Sequence, residues 1–433
     1  MDIRKAILLL KRFPVNSAGK DLLKINDFNS EEIGLYQQKM KWEIAKFHYD
    51  NNSFYRKLVG NVFPDKWTDL PILNKADFQG DLNRIISNGY KIGDLYKSNT
   101  SGSGGHPFTF VKDKYCHART WAYVLNRYGE LGITETSKEA RFYGIPLELI
   151  PKMVEHLKDY FFYRRRFPVF DLSEQNLEFY LDRLTKGNFS YIYGYTNSIY
   201  IFCQFLQKKN IILKDLCPSL KLIIVTSELC MDFQRELMQN VSGLNVISEY
   251  GASEFGYIGK EIEPNIWEVA WQNILVEQSP VEQSSIDYGE LLITDFFNKS
   301  FPFIRYCIGD LGAIRNNNGI PHIHNLVGRT NDMAILPSGK KSPGLTFYYI
   351  SRSVLENSGV LKEFIVRQTK LNEFWIDYKG DEEISSDSME LIKNKFEEYL
   401  EPGLIINFRF LDEIPRTKKG KLKHFYSELN GAN

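Results

Sequence analysis

The stretch N-T-S-G-S-G-G-H-P-F, Asn99 to Phe108, gathers hydroxyls and glycines in a way that suits a polyphosphate. Gly102, Gly104 and Gly105 let the backbone approach a ligand and adopt positive φ, while Thr100, Ser101 and Ser103 add hydroxyls to exposed amides. Read by composition alone, the same run is also a flexible connection. A second constellation, S-E-Y-G-A-S-E-F-G from Ser248 to Gly256, follows directly on an apolar strand. Tyr250 puts a ring at the strand end where a purine can stack, Gly251 lets the chain turn, and Ser253 and Glu254 offer a hydroxyl and a carboxylate to phosphate and Mg²⁺. The plain alternative is a strand-turn with a surface glutamate. A third, R-Y-C-I-G-D from Arg305 to Asp310, places an aspartate after a glycine turn. An ionised carboxylate, acceptor-only with two oxygens, suits a pair of ribose hydroxyls. The fourth, I-P-R-T-K-K-G-K from Ile414 to Lys421, reads from its residues as solvated basic charge.

Other chemistries lack their residues. The glycine-rich stretch is neither a Walker A loop, since no lysine follows Gly105, nor a G-x-G-x-x-G turn. G-x-S-x-G and H-E-x-x-H are both missing, which removes the usual hydrolase arrangements. His322 and His324 alternate on a strand and read as structural. Lys plus Arg equals Asp plus Glu, 54 each, so no electrostatic footprint for nucleic acid exists. Five scattered cysteines without a C-x-x-C pair argue against structural zinc and a disulfide framework, and for a reducing, cytoplasmic setting. The opening I-R-K-A-I-L-L-L-K-R-F is too short in its apolar run for a signal core. It reads as an amphipathic helix with basic rims, either a membrane-surface element or, more simply, a helix packed on its own domain.

Strands and helices must carry these residues. Helical spacing runs from Ser30, read as an N-cap, to Asp50, and again from Tyr115 to Tyr128. From Arg141 onward, strands (Arg141 to Gly144, Tyr191 to Tyr193, Lys221 to Thr226, Asn245 to Ser248) alternate with helices capped at Ser173, begun at Thr196 and spanning Asp232 to about Val241. The alternation predicts an α/β region with a largely parallel sheet that binds ligands at the carboxyl ends of its strands. Past about residue 255 hairpin-like strands take over, one pair turning through N-N-N-G before Ile320. The last hundred residues read as an α+β unit: Glu363 to Gln368 pairs with Glu373 to Tyr378, Asp387 and Glu390 form a capping box, and Leu404 to Leu411 is a strand. The boundary falls at about Asn331, giving a domain of residues 1–330 and a smaller one of 331–433.

Taken together, the four motifs resemble those of the adenylate-forming enzymes, which activate a carboxylic acid with ATP. Thr100, Ser101, Gly102, Ser103, Gly105 and Pro107 match T-S-G-[ST]-T-G-x-P, with Gly104 in place of the usual Thr. Tyr250, Gly251, Ser253 and Glu254 match Y-G-x-[ST]-E, and R-Y-C-I-G-D is close to R-Y-x-x-G-D. Cys307 stands where many relatives have Arg, leaving Arg305 to make that cationic contact. Gly328, Arg329 and Asp332 are similar to the G-R-x-x-D hinge, and P-R-T-K-K-G-K to the C-terminal lysine motif. The lead-in L-P-I-L-N-K from Leu70, with Y-I-Y-G-Y at Tyr191 to Tyr195, looks like the phenylacetate-CoA ligase and CapK-like group. The resemblance implies a large N-terminal domain and a small mobile C-terminal one. It implies Tyr250 beside adenine, Ser253 on the α-phosphate, Glu254 on Mg²⁺, Asp310 on ribose, Arg329 on ribose or phosphate, and Lys421 bridging the acid's carboxylate and the α-phosphate. It further implies ATP and Mg²⁺, with CoA, a carrier-protein thiol or an amine as acceptor, and a role in surface-polysaccharide pathways. No zinc is expected, since G-Y-I-G-K-E follows Glu254 where some relatives carry Cys or His. A non-catalytic nucleotide-binding protein of the same fold is the alternative.

Overall fold

The alternation between Arg141 and Ser248 is a parallel sheet in the computed structural model, which describes residues 8–99, 108–144, 153, 157, 159–280, 288–329, 333–339, 341–343, 347, 361–380, 382–415 and 425–429. A short hairpin, β1 (Tyr96–Asn99) and β2 (Thr109–Lys112), precedes it. The sheet itself begins with β3 (Glu139–Phe142), β4 (Arg164–Phe167), β5 (Tyr191–Tyr195), β6 (Leu222–Thr226) and β7 (Asn245–Ala252), ordered β4-β3-β5-β6-β7 and all parallel. It turns antiparallel at β8 (Gly256–Glu263) and β9 (Ile266–Val269), as expected from the shift in character near residue 255. The chain goes on through β10 (Ile274–Pro280), β11 (Gly289–Asp295), β12 (Tyr306–Asn317) and β13 (Ile320–Arg329), and β13 pairs with β9.

Contacts divide the chain into two compact units, the first made of Met1–Glu277, Leu292–Ile308 and Ile314–His324. In it the two faces of the parallel sheet are built differently. Phe142, Ile192, Ile223, Val225 and Val246 point to one side and are buried with Leu177, Leu184, Phe202, Leu206, Met238 and Val241 from helices Glu174–Lys186, Thr196–Lys208 and Asp232–Ser242. Each such aliphatic side chain removed from water stabilises by about 1.5–3 kcal/mol. On the opposite side Tyr191, Leu222 and Ile224 pack on Tyr128 of helix Lys114–Glu130. Asp113 caps that helix, accepting from Tyr115 N at 3.0 Å and Cys116 N at 2.9 Å.

Two helix starts differ from their sequence reading. Helix Ser30–Asn51 is capped by Asn29, whose side chain takes the amides of Glu31 and Glu32 while Glu32 reaches back to the Asn29 amide at 2.8 Å. Ser30 instead donates its hydroxyl to the Asn318 carbonyl. Helix Ser386–Tyr399 is capped by Ser385, which accepts from Ser388 N, so the box expected from Asp387 and Glu390 is displaced by a hydroxyl already at the N-cap position. Ser173 does stand at its N-cap, although its side chain makes no cap bond. Near the N-terminus, Leu8 and Phe13 are buried with Ala118 and Ala122, so this part of the opening segment packs on its own unit. Residues 1–7 lie outside the described ones.

The second unit comprises Gln278–Leu291, Gly309–Ala313 and Asn325–Asn433. It holds β14 (Met333–Ile335) paired with β15 (Lys341–Pro343), and a four-stranded sheet. In that sheet β16 (Leu361–Lys370) and β17 (Glu373–Gly380) form the expected hairpin, flanked by parallel β18 (Ile405–Phe410) and β19 (Phe425–Ser427). Phe396 of helix Ser386–Tyr399 packs ring on ring with Phe347 and Phe374, and Phe347 stacks on Phe425. Asp377, fully buried, accepts from both Arg367 at 2.6 Å and Arg409 at 2.7 Å, which compensates its loss of hydration.

Candidate active site

Asn99 and Thr109 are register partners, so the Gly/Ser stretch joins two paired strands; residues 100–107 themselves, with Thr100, Ser101, Gly102, Ser103 and Gly105, lie outside the described residues. What holds the base of that hairpin is visible. Tyr96 on β1 stacks on His117 with centroids 4.0 Å apart. His117 Nε2 accepts from Trp121 Nε1 at 3.1 Å, which requires a neutral ring, and burial holds its pKa down at about 3. On β2, the Val111 carbonyl accepts from Asn298 Nδ2 at 2.9 Å, and Lys112 lies 4.0 Å from Asp295 in the interior. The Asn298 carbonyl in turn accepts from His48 Nε2 at 2.9 Å, while His48 Nδ1 accepts from the Ser87 hydroxyl at 3.1 Å. A neutral imidazole satisfies both bonds, and burial lowers its pKa to about 4. Both strands that carry the stretch are thereby fixed.

The Y-G-A-S-E-F-G motif is the turn from β7 into β8, with a register shift between Tyr250 and Gly251. Upstream, Arg235 pairs with Glu261 at 2.5 Å and donates to the Val246 carbonyl, and Glu261 Oε2 accepts from Ser248 N at 2.6 Å, which locks the end of β7. Gly251 is not the turning residue expected. Strand β7 continues to Ala252, and the turn comes at residues 253–255. Gly251 is needed for a close approach, because a Cβ there would lie 2.3 Å from the Gly256 carbonyl oxygen. Gly256 takes the positive φ, +78°, and faces Thr120 so closely that a Cβ would clash. Tyr250 and Glu254 are buried, and Ser253 is exposed.

R-Y-C-I-G-D sits beside the L-P-I-L lead-in. Leu73 bridges Tyr306 as an added parallel partner: its amide donates to the Arg305 carbonyl, and its carbonyl accepts from Cys307 N at 2.8 Å. Arg305, at φ 47°, buries its guanidinium and donates to the Thr68 carbonyl at 2.9 Å and the Leu70 carbonyl at 2.7 Å. Its cation is committed to holding this segment, so it does not supply the contact expected in place of an arginine at position 307. Tyr306 is the meeting point. Its hydroxyl donates to Glu254 Oε1 at 3.3 Å, and its ring lies 6.0 Å from Phe255 of the second motif and 6.2 Å from Phe108 at the end of the first. Phe78, Phe301 and Phe303 complete the cluster. Three motifs spread over some 200 residues therefore share one aromatic core.

In the second unit, Asp310 is buried on β12 directly after Gly309, whose φ is +83°. Arg329 ends β13. Lys421 falls in 416–424, outside the described residues, as do Lys418 and Lys419. The residues on either side are packed: Ile414 is buried with Ile365, and Phe425 stacks on Phe347.

Sequence reasoning passed over a polar row on the helix-Lys114–Glu130 side of the sheet. Glu139 pairs with Arg141 and accepts from Tyr191 OH at 2.8 Å, and the Arg141 guanidinium lies 4.7 Å above the ring of Tyr193 and 5.3 Å above that of Tyr143. Glu249, next to Tyr250, is buried; burial and then the charge of Glu139 push its carboxyl up to about 7. The signal was the alternation of Arg141 with Tyr143 and of Tyr191, Tyr193 with Tyr195, which a strand turns onto one face.

No family model matches the chain. It is 24% identical over 423 residues to Protein CapK of Staphylococcus aureus, covering 93% of this chain and 88% of that one. Among solved structures it is similar to a 2-hydroxyisobutyryl-CoA ligase in its postadenylation state, with TM-score 0.65 at 15% identity over 92% of this chain and 90% of that one. It is also similar to the acyl acid amido synthetase GH3.15, with TM-score 0.60 at 14% identity over 86% of each chain. The fold is the one these two enzymes share. The likeness to Protein CapK runs along nearly the whole chain.

Proposed function

We propose that this protein activates a carboxylic acid with ATP to an acyl-adenylate and passes the acyl group to a thiol or amine acceptor. The observation that carries the reading is the convergence of Phe108, Phe255 and Tyr306, which brings the flanks of three nucleotide-type motifs to one place. An acid carboxylate oxygen attacks the α-phosphorus in line, the bond to the bridging oxygen breaks, and pyrophosphate leaves; the acceptor then attacks the acyl carbon and AMP leaves. Thr100, Ser101, Gly102, Ser103 and Gly105 would cradle the phosphates, with Tyr250 and Gly251 beside adenine, Ser253 on the α-phosphate and Asp310 on ribose. Arg329 would reach ribose or a phosphate. Lys421 would stabilise charge on the five-coordinate phosphorus.

Glu254 fits a Mg²⁺ ligand of the kind that supplies one carboxylate and leaves the remaining positions to water and substrate phosphates. Among the described residues no group of three or more metal-ligating side chains occurs, which suits that mode better than an all-protein cage. Bound there, Mg²⁺ would neutralise phosphate charge. The acceptor divides the relatives by name, one a CoA ligase and one an amido synthetase. CoA is the default, and the CapK likeness favours a surface-polysaccharide pathway. All five thiols are free and buried, in keeping with a reducing compartment. Among the described residues no helix is long and apolar enough to cross a membrane.

Acid-dependent exchange of pyrophosphate into ATP tests the reading. Glu254→Gln and Asp310→Ala should lose nearly all exchange. Lys421→Ala should slow it by about 10²-fold or more, the equivalent of about 3 kcal/mol, with ATP binding little changed. Equal losses in Lys418→Ala or Lys419→Ala would show bulk charge at work and refute the assignment. ATP binding without exchange for any acid would favour a nucleotide-binding protein.

A further inference from the structure

Register places a second set of groups along the carboxyl edge of the parallel sheet. Tyr195 pairs with Thr226 and Thr226 with Glu249, while Tyr143 follows the last β3 residue and lies 4.1 Å, ring to ring, from Tyr195. Thr226 and Glu249 continue the face toward helix Lys114–Glu130 beyond Ile224 and Ile247, with Arg141 and Tyr193 in the row beneath, while Tyr143 and Tyr195 border that row and pack also on the aliphatic layer. Among the described residues the face is only partly covered. Tyr193, on a central strand, is half-buried, as is Tyr143; the Arg141 side chain keeps 20% of its exposure, and Ser227 is exposed. A central-strand side chain that reaches solvent marks a gap in the covering layer, here a recess open at the edge where β7 delivers Tyr250.

The recess is lined by hydrogen-bonding groups. The Tyr143 hydroxyl and Ser227 Oγ are 3.2 Å apart at its mouth. Arg141 is balanced by Glu139, which leaves Glu249 to set the character of the top row. Tyr128 donates to the Glu249 carboxyl, but Oε1 is buried with no partner. A buried acceptor oxygen without a donor beside the recess is expensive unless something that enters donates to it.

We propose, building on the acid-ligase reading above, that this recess receives the non-reacting end of the acid and that Glu249 selects acids bearing a hydrogen-bond donor there, a hydroxyl or an ammonium. Tyr143 and Ser227 complete the polar wall. An alkyl or aryl tail would seal Oε1 against carbon. Sites built to hydrogen-bond a substrate group reject the analogue lacking it far more strongly than apolar pockets reject an added hydroxyl.

The test is pyrophosphate exchange with hydroxy and amino acids of three to six carbons, each against the counterpart with hydrogen or methyl in place of the donor, and with phenylacetate. In wild-type protein the best donor-bearing acid should exceed its counterpart by about 10²-fold in kcat/KM. Glu249→Leu should collapse that ratio below about 10 while raising or preserving exchange with the apolar counterpart. Glu249→Gln, which keeps an acceptor oxygen, should retain the hydroxy acid and lose the amino acid. Tyr143→Phe should lower the ratio with a KM effect, and thermal melting of each variant separates this from misfolding. Apolar or aryl acids exchanging as well as donor-bearing ones in the wild type would overturn the inference and leave the acid-ligase reading standing. So would an unchanged ratio in folded Glu249→Leu. No exchange with any acid would overturn both.

Discussion

The two faces of the parallel sheet are made from the same strands, yet one is a dry aliphatic and aromatic layer under three helices and the other carries Glu139, Arg141, Tyr193 and Glu249. The first face needs only volume and shape to be filled. The second holds a carboxylate whose ionised form is disfavoured by its surroundings, and stability alone would not select it. Where one face of a sheet is optimised for packing and the other tolerates a penalty at its carboxyl edge, the penalised face is where ligand chemistry belongs.

The contrast can be broken in three ways. Phe142, fully buried and stacked on Phe167 at 5.0 Å, anchors the dry face. Phe142→Ala should lower unfolding free energy by about 3–5 kcal/mol in denaturant titration. An effect under about 1 kcal/mol would mean that this layer is loosely packed.

Glu249 should behave in the opposite sense. Its folded pKa, about 7, lies above the usual carboxylate value, so between about pH 4.5 and 7 the unfolded chain releases a proton that the folded one keeps. The resulting loss of stability grows across that window and is complete above it, reaching up to about 3 kcal/mol. Glu249→Gln should therefore raise the melting temperature at pH 7.5 and leave it nearly unchanged at pH 4.5. Destabilisation by the glutamine at pH 7.5 would erase the distinction between the faces.

The smallest effect sharpens the comparison. Arg141→Met leaves Glu139 buried beside an apolar side chain and should cost about 2 kcal/mol, while the double variant with Glu139→Gln should recover to within about 1 kcal/mol of the wild type. A double variant as unstable as the single would make the ion pair a packing element of its own.

Much of this was legible in the residues. The parallel α/β character followed from 10-to-15-residue helices between apolar runs, though not the strand order, and the N-N-N-G hairpin and the β16 to β17 pairing followed from turn chemistry and alternation. Helix starts were misplaced where neighbouring polar residues all qualify as caps, since Asn29 against Ser30 and Ser385 against Asp387 are told apart by backbone angle and not by capping ability. The motifs were readable one at a time. Their meeting at Tyr306 was not, because it depends on which aromatic residues share a face. Arg305 misled for a related reason: sequence shows a cation but not the carbonyls of Thr68 and Leu70 that occupy it.

The bridge between Leu73 and Tyr306 also bears on how the chain is made. Arg305 meets the Leu70 carbonyl across 235 residues, His48 meets Asn298 across 250, and Tyr36 donates to Gln272 across 236. At ribosomal rates of about 5–20 residues per second, the first hundred residues emerge roughly 10–50 seconds before the segments that complete their hydrogen bonds. Until residue 306 has cleared the ribosome, the Leu70 to Leu73 segment lacks the strand it pairs with, and helix Ser30–Asn51 has only part of its native surface. The turn at Glu254 is synthesised before its Tyr306 partner, so the aromatic core around Tyr306 closes only after the central sheet has been translated, and a nascent chain stalled before that point presents unpaired strand and bare aromatic rings to the cell's chaperones.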